Sequence, residues 1–271
     1  MIYLYAYTNF KKGLDNLRRI LAIYDYLTKK GLNCEILVNE YRAQLIAKEW
    51  GYPLATTIET IKDIDAVASI NDTIIIDSSE KIEGKVLNYP KDFKKVIFIN
   101  SICNEIKFDG ATIFNIKDEN FFYKELDNIN KTDKTIFIYG DSDYEKTILK
   151  NLDLFKNKGL DLYWGVYFFV KYEDILKDVF NNIIDSEEYY EVLKEYKNVI
   201  TCSFEVAIEA KAAKSDVLYL NLNNLEMCKK EILWKYGIRI VDNLDIQNYI
   251  QDIELSKKIF HSLDNLYSYV K

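Results

Sequence analysis

Short runs of β-branched and aromatic residues alternate with longer helical patterns from one end of this chain to the other, and the whole alternation happens twice. The first set of apolar runs covers residues 2–7, 34–38, 72–77, 95–100 and 111–116, with helical patterns at 14–30 and 41–51. A polar stretch without a clear period, 117–134, interrupts it. The pattern then resumes with runs at 135–140, within 160–168, and at 198–203, 216–222 and 238–241. Helical patterns lie between these runs at 143–159, 172–183, 186–196, 204–214 and 226–237, and a long amphipathic helix is expected over 252–269. Near-continuous β-branched runs suit strands buried on both faces, which with helices between them are parallel. The fold class is therefore α/β.

Two successive sets of about five strands predict two Rossmann-like domains facing each other across a cleft, followed by a C-terminal helix. The expected boundaries are 1–130, 131–250 and 251–271. The alternative is one large doubly wound sheet; the break at 117–134 and the restart behind it favour two domains. Ligands in such folds bind outside the C-terminal ends of the strands.

Composition narrows the function. The chain has 271 residues, 49% of them hydrophobic, and a net charge of −7. An acidic chain is poorly suited to nucleic acid, which needs a basic surface to displace counterions. No apolar run approaches the ~20 residues of a membrane span, and the start lacks the regions of a signal peptide. A cytoplasmic protein without a membrane span is expected. Cys34, Cys103, Cys202 and Cys228 form no C-x-x-C pair, and the expectation is reduced thiols. The one histidine, His261, excludes mechanisms with two histidines and leaves a Ser-His-Asp triad dependent on the terminal helix.

Neither a Walker A sequence nor G-x-G-x-x-G occurs. Five stretches can carry chemistry. "GLDNLRR" follows the first strand. Here Asp15 is either a helix cap or a general base within reach of an acceptor hydroxyl or water. One of Arg18 and Arg19 can face phosphate. "IIIDSSE" ends a later strand of the same set and places Asp77, Ser78 and Ser79 at the same rim. "YGDSDYEKT" offers Gly140 and Ser142 at a helix N-terminus that is either a diphosphate seat or an ordinary cap supplied by Ser142 or Asp143. Asp141 and Asp143 repel phosphate there unless they turn outward or hold a metal. "TCSFEVAIEA" carries Ser203, then Glu205 and Glu209 at i,i+4 on one helix face. Either this is a solvated acidic face, or a carboxylate accepts the hydroxyls of a ribose. "NLNNLE" follows the next strand, and Asn223 or Asn224 suits a base or sugar edge, or simply makes a turn. The 22 tyrosines are mostly core material, with some free to line a sugar site or a dimer face.

Taken together, these positions resemble the UDP-sugar hydrolases of the pseudaminic-acid pathway and the related spore-coat polysaccharide proteins. That family lies within the wider two-Rossmann (GT-B) group, which includes the peptidoglycan-precursor N-acetylglucosaminyltransferase. The resemblance runs over residues 1–242. In "GLDNLRRILA", Gly13, Arg19, Leu21 and Ala22 match the family's first loop, Asp15 replaces its second glycine, and Asn16 replaces its histidine. Ile75-Ile76-Asp77 matches a strand end, and Gly140 and Asp143 match the diphosphate loop, with Asp141 in place of a glycine. "TCSFEVAIEA" maps the ribose glutamate to Glu209, and the asparagine-rich loop maps to Asn223 and Asn224. The resemblance implies a GT-B-like enzyme that splits a nucleotide-sugar, UDP-linked, by transfer or hydrolysis in surface-glycan or nonulosonic-acid metabolism. It implies no metal or other cofactor. Gly13, Asn16, Arg19 and Asp77 would bind substrate, and Gly140, Ser142, Ser203, Glu209 and Asn223 the nucleotide. Asparagine takes no proton at useful pH, so the base would be Asp15. The alternative is a catalytically silent relative that binds a nucleotide, a glycan or a partner enzyme.

Overall fold

The computed structural model describes residues 1–116, 121–168, 170–242 and 263–270. His261, the first part of the expected terminal helix and part of the 117–134 connection lie outside them. The chain divides into two units: Met1–Lys124 with Phe260–Lys271, and Glu125–Ile259.

The first unit holds a six-stranded sheet: β1 (Ile2–Ala6), β2 (Cys34–Val38), β3 (Thr56–Thr57), β4 (Thr73–Asp77), β5 (Lys95–Asn100) and β6 (Thr112–Asn115). Every pairing is parallel and the order is β3-β2-β1-β4-β5-β6. β1 is central, with Leu4 opposite Ile36 on one side and Ile75 on the other. All five residues of β4 are buried, as an apolar run between two layers requires. Helix α1 (Asp15–Lys29) covers β1 with Leu17, Ile20, Leu21 and Leu27, and ends two residues before Gly31. Helices α2 (Tyr41–Glu49) and α3 (Tyr89–Asp92) and two short 3₁₀ turns complete the layer. The C-terminal helix Leu263–Val270 also belongs to this unit; its Tyr267 packs edge-on against Tyr26 of α1, 6.2 Å between ring centroids.

The second unit repeats the topology. Its strands are β7 (Thr132–Ile138), β8 (Asp161–Tyr163), β9 (Ile183–Ile184), β10 (Tyr196–Thr201), β11 (Asp216–Leu220) and β12 (Arg239–Val241). They are parallel in the order β12-β11-β10-β7-β8-β9. Counted from the first strand of each unit, both sheets run 3-2-1-4-5-6, the order of a dinucleotide-binding Rossmann fold. The helices are α4 (Thr147–Lys150), α5 (Leu152–Phe155), α6 (Glu173–Lys177), α7 (Tyr189–Glu195), α8 (Phe204–Ala212) and α9 (Met227–Lys235). Phe137 of β7 anchors the core, its ring 4.5 Å from Phe155 and 6.2 Å from Phe180.

Three details depart from the sequence pattern. Each sheet has six strands where five were expected, and the additional ones, β3 and β9, are two-residue edge strands at the same place in the two sheets. The helical pattern at 143–159 forms two helices of four residues each, because Lys146 is left-handed (φ 57°) and Asn151 breaks the run. The pattern at 172–183 is helical only over Glu173–Lys177. Cys34 and Cys202 are free thiols, and burial pushes the Cys34 thiol up to about 11. Among the described residues no helix is long and apolar enough to cross a membrane.

Candidate functional site

In a 3-2-1-4-5-6 sheet, the connections from strands 1 and 4 leave toward opposite faces, so a crevice opens between their C-terminal ends. In the first unit that crevice lies between β1 and β4. A pocket of about 390 Å³ opens there, within the range of small-molecule sites. The β1–α1 connection contributes Lys12, Asn16 and Arg19, the end of β4 contributes Asp77 to Glu80, and the end of β5 contributes Phe98, Ser101 and Glu105.

A buried cluster braces the crevice. Arg19 and Asp77 form a bidentate ion pair, Nε to Oδ2 at 2.7 Å and Nη2 to Oδ1 at 3.1 Å, with both side chains under a tenth exposed. Arg19 Nη2 also donates to Asn16 Oδ1 at 2.6 Å. Asn16 Nδ2 donates to two main-chain oxygens, Tyr7 at 3.0 Å and Asp77 at 3.2 Å. Both amide hydrogens of Asn16 are thus spent on tying the diverging ends of β1 and β4 together. Asp15 follows the cap position, which Leu14 occupies without a side-chain bond; its carboxylate accepts from the buried Arg18 guanidinium, and it is not among the residues lining the pocket.

The first loop is held from two sides. Asn9 Oδ1 accepts from the amides of Lys11 and Lys12, both at 2.9 Å, and Asn9 pairs with Gly13 in an isolated bridge. Asn39 clamps Thr8, accepting from its amide at 2.7 Å and donating to its carbonyl at 2.8 Å, while the Thr8 hydroxyl donates to Glu40 at 2.8 Å. On the opposite wall Glu80 accepts from the Tyr5 hydroxyl (2.7 Å), the Ser78 hydroxyl (2.9 Å) and the Ile61 amide (3.1 Å). Burial, and then the Glu80 charge, push the Tyr5 phenol far above its ordinary range. Thr8 and Asn39 carry no sequence motif, and Glu80 closes the IIIDSSE stretch without being marked out by it. They come together only because parallel pairing brings the ends of β1, β2 and β4 side by side.

The equivalent crevice of the second unit lies between β7 and β10. Gly140, at φ 140°, follows β7, and a Cβ there would come within 3.8 Å of the Ser203 side chain. A Cβ on Gly165 would lie 2.5 Å from the Asp141 carbonyl and 2.6 Å from the Gly140 oxygen, so only glycine lets the segment after β8 close over this loop. Tyr167 N–H donates to the Asp141 carbonyl at 2.9 Å and fastens that closure. Ser142 is half-buried between Asp141, which is buried, and Asp143. Asp143 accepts from the amides of Thr147 (2.6 Å) and Ile148 (2.9 Å), so the first turn of α4 is capped by this carboxylate. Burial outweighs those bonds and raises the Asp143 carboxyl above its usual value.

Ser203 caps α8, its hydroxyl accepting from the Val206 amide at 3.3 Å. One further turn along, Glu209 is buried and accepts from the Tyr189 hydroxyl. Asn223, after β11, donates to the Tyr139 hydroxyl at 2.8 Å, which joins the β7 and β11 loops. The sequence-derived positions therefore fall into two groups. Gly13, Asp15, Asn16, Arg19 and Asp77 lie around the first crevice, and Gly140, Ser142, Ser203, Glu209 and Asn223 lie on β7, α8 and β11 connections of the second unit.

No protein-family model and no characterised protein sequence matches this chain. Among solved structures, the UDP-GlcNAc 2-epimerase from Neisseria meningitidis, bound to UDP-GlcNAc, is similar over 100% of this chain and 99% of its own, with a TM-score of 0.54 and 10% sequence identity. The likeness is one of fold, and this chain is an α/β protein of two Rossmann-like units, each with a parallel six-stranded sheet.

Proposed function

We propose that this chain binds a nucleotide-sugar, UDP-linked, and breaks its sugar–phosphate bond by transfer or hydrolysis in surface-glycan or nonulosonic-acid metabolism. The observation that carries this reading is the preformed pocket at the β1/β4 switch point, built from hydroxyl, amide and carboxylate side chains of a size and kind suited to a sugar. The shared fold with an enzyme whose structure holds UDP-GlcNAc supports it. In this proposal the second unit holds the nucleotide. Gly140, Ser142 and Ser203 surround the diphosphate, Glu209, oriented by Tyr189, accepts from the ribose, and Asn223 lies at the base or sugar edge. The first unit holds the sugar and acceptor side, with Gly13, Asn16, Arg19 and Asp77 shaping it. Asp15 takes the proton from the attacking hydroxyl or water as the sugar's C1–O bond breaks and the nucleoside diphosphate leaves with the bonding electrons.

The test is calorimetry of the whole chain with UDP, GDP and CMP, paired with turnover of UDP-sugars by wild type and Asp15→Ala. The reading expects binding of UDP with a turnover loss of about 10²-fold or more on removing the base. Wild-type turnover by Asp15→Ala would remove Asp15 from the mechanism, and no binding of any nucleotide would remove the enzyme. A second reading, a catalytically silent relative that binds without splitting the bond, has its own support. Asn16 stands where the resembling family has histidine and spends its amide on structure, and the Asp143 carboxylate already occupies amides of the first turn of α4. Tight nucleotide binding without sugar release would favour it.

A further inference from the structure

From the charge balance of the first unit's pocket we infer the class of its ligand: a neutral or amino sugar that donates hydrogen bonds, with sugar phosphates and sugar acids disfavoured. This rests on the proposed function and sharpens it. Three carboxylates (Asp77, Glu80 and Glu105) line the pocket against two cations (Lys12 and Arg19). The Arg19 charge is spent on Asp77 through two hydrogen bonds and on Asn16 through a third, all inside the protein. A buried guanidinium so paired is a poor anion receptor, because leaving Asp77 for a ligand would strand a buried carboxylate. The positive end of α1 is no better, since Asp15 in its first turn already supplies the negative charge that end would attract.

What the pocket offers instead is acceptors. Glu80 is fixed by three donors and cannot swing away from an incoming anion. Glu105 stands on an exposed segment after β5. Between the lining residues Ile99 and Ser101, the buried Asn100 donates through Nδ2 to Asn104 O (2.8 Å) and Asn115 Oδ1 (2.7 Å), while its Oδ1 has no hydrogen-bond partner among the described residues. Asn100 itself does not line the pocket; its bond to the Asn104 carbonyl holds in place the segment that does. Lys12 and Glu105 both stand on exposed segments where solvent screens them, which leaves Glu80 as the pocket's held, unneutralised charge.

The test titrates the full-length protein with glucosamine, N-acetylglucosamine, glucuronic acid and glucosamine 6-phosphate, read by saturation-transfer NMR at low salt. Glucosamine and N-acetylglucosamine should bind at least tenfold more tightly than the two anionic sugars. Glu80→Gln should weaken glucosamine at least fivefold and narrow the gap to the anions. Glu105→Gln, on an exposed segment where folding is not at risk, should narrow the same gap. Equal or tighter binding of the anionic sugars, no saturable binding of any of the four, or unchanged affinities in both variants would overturn the inference. Because no nucleotide is present, a failure here is separate from a failure of nucleotide calorimetry.

Discussion

Asn16 lines the first crevice's pocket and also holds its frame. Its two donated bonds and one accepted bond join β1, β4 and Arg19. Asn16→Ala should cost about 1–3 kcal/mol, because two main-chain carbonyls at a strand divergence lose their donor. Asp77→Asn should cost more, about 3–5 kcal/mol, since it leaves the Arg19 charge buried without its partner. Urea denaturation of both variants measures the two losses, and equal losses would mean that the ion pair carries no more than a hydrogen bond. Gly165→Ala should cost about 1–3 kcal/mol by forcing its Cβ into the Asp141 carbonyl and should weaken nucleotide affinity along with stability. Asn16, Arg19 and Asp77 could be brought together from the sequence, because each lies at a strand end or within the first two turns of the helix that follows one. Glu80, Asn39 and Gly165 could not, because what singles them out is the distance to a residue far away in the chain.

At the scale of elements, the near-continuous apolar runs announced their strands, since burial on both faces leaves few polar positions to interrupt them. β3 and β9 were illegible for the opposite reason. Two residues cannot carry a period, and their edge position is fixed by the neighbouring strand. One polar tie also crosses elements. Lys131, just ahead of β7, donates to Leu193 O of α7 (2.5 Å), Tyr196 O of β10 (3.2 Å) and Ser215 Oγ ahead of β11 (2.8 Å). Burial pulls its amine down to about 8, against a partial opposing pull from Asp216. The folded value lies below the unfolded one near 10.4, so between those pH values the unfolded chain holds the extra proton and stability rises with pH. The stability of wild type relative to Lys131→Met, followed by urea denaturation at pH 7, 8.5 and 10, should therefore move in favour of wild type as pH rises. A gap that stays constant or moves the other way would contradict the burial of that amine.

For the whole molecule, the repeat of one strand order in both units means that each sheet closes its hydrogen-bond ladder within its own unit. Hydrogen exchange on Asp77→Asn should then show its deepest loss of protection in β1 and β4, with β7 and β10 changed less. Equal loss in all four would show that the two sheets open together. The Thr8 clamp has a consequence for time rather than for energy. A loop whose main chain is already gripped by Asn39 on both its amide and its carbonyl has little left to order when the proposed sugar ligand arrives. Capture at the first crevice should proceed in one kinetic step whose rate rises linearly with sugar concentration, without the plateau that a slow loop closure imposes. Loosening the grip with Asn39→Ala should bring that plateau into view.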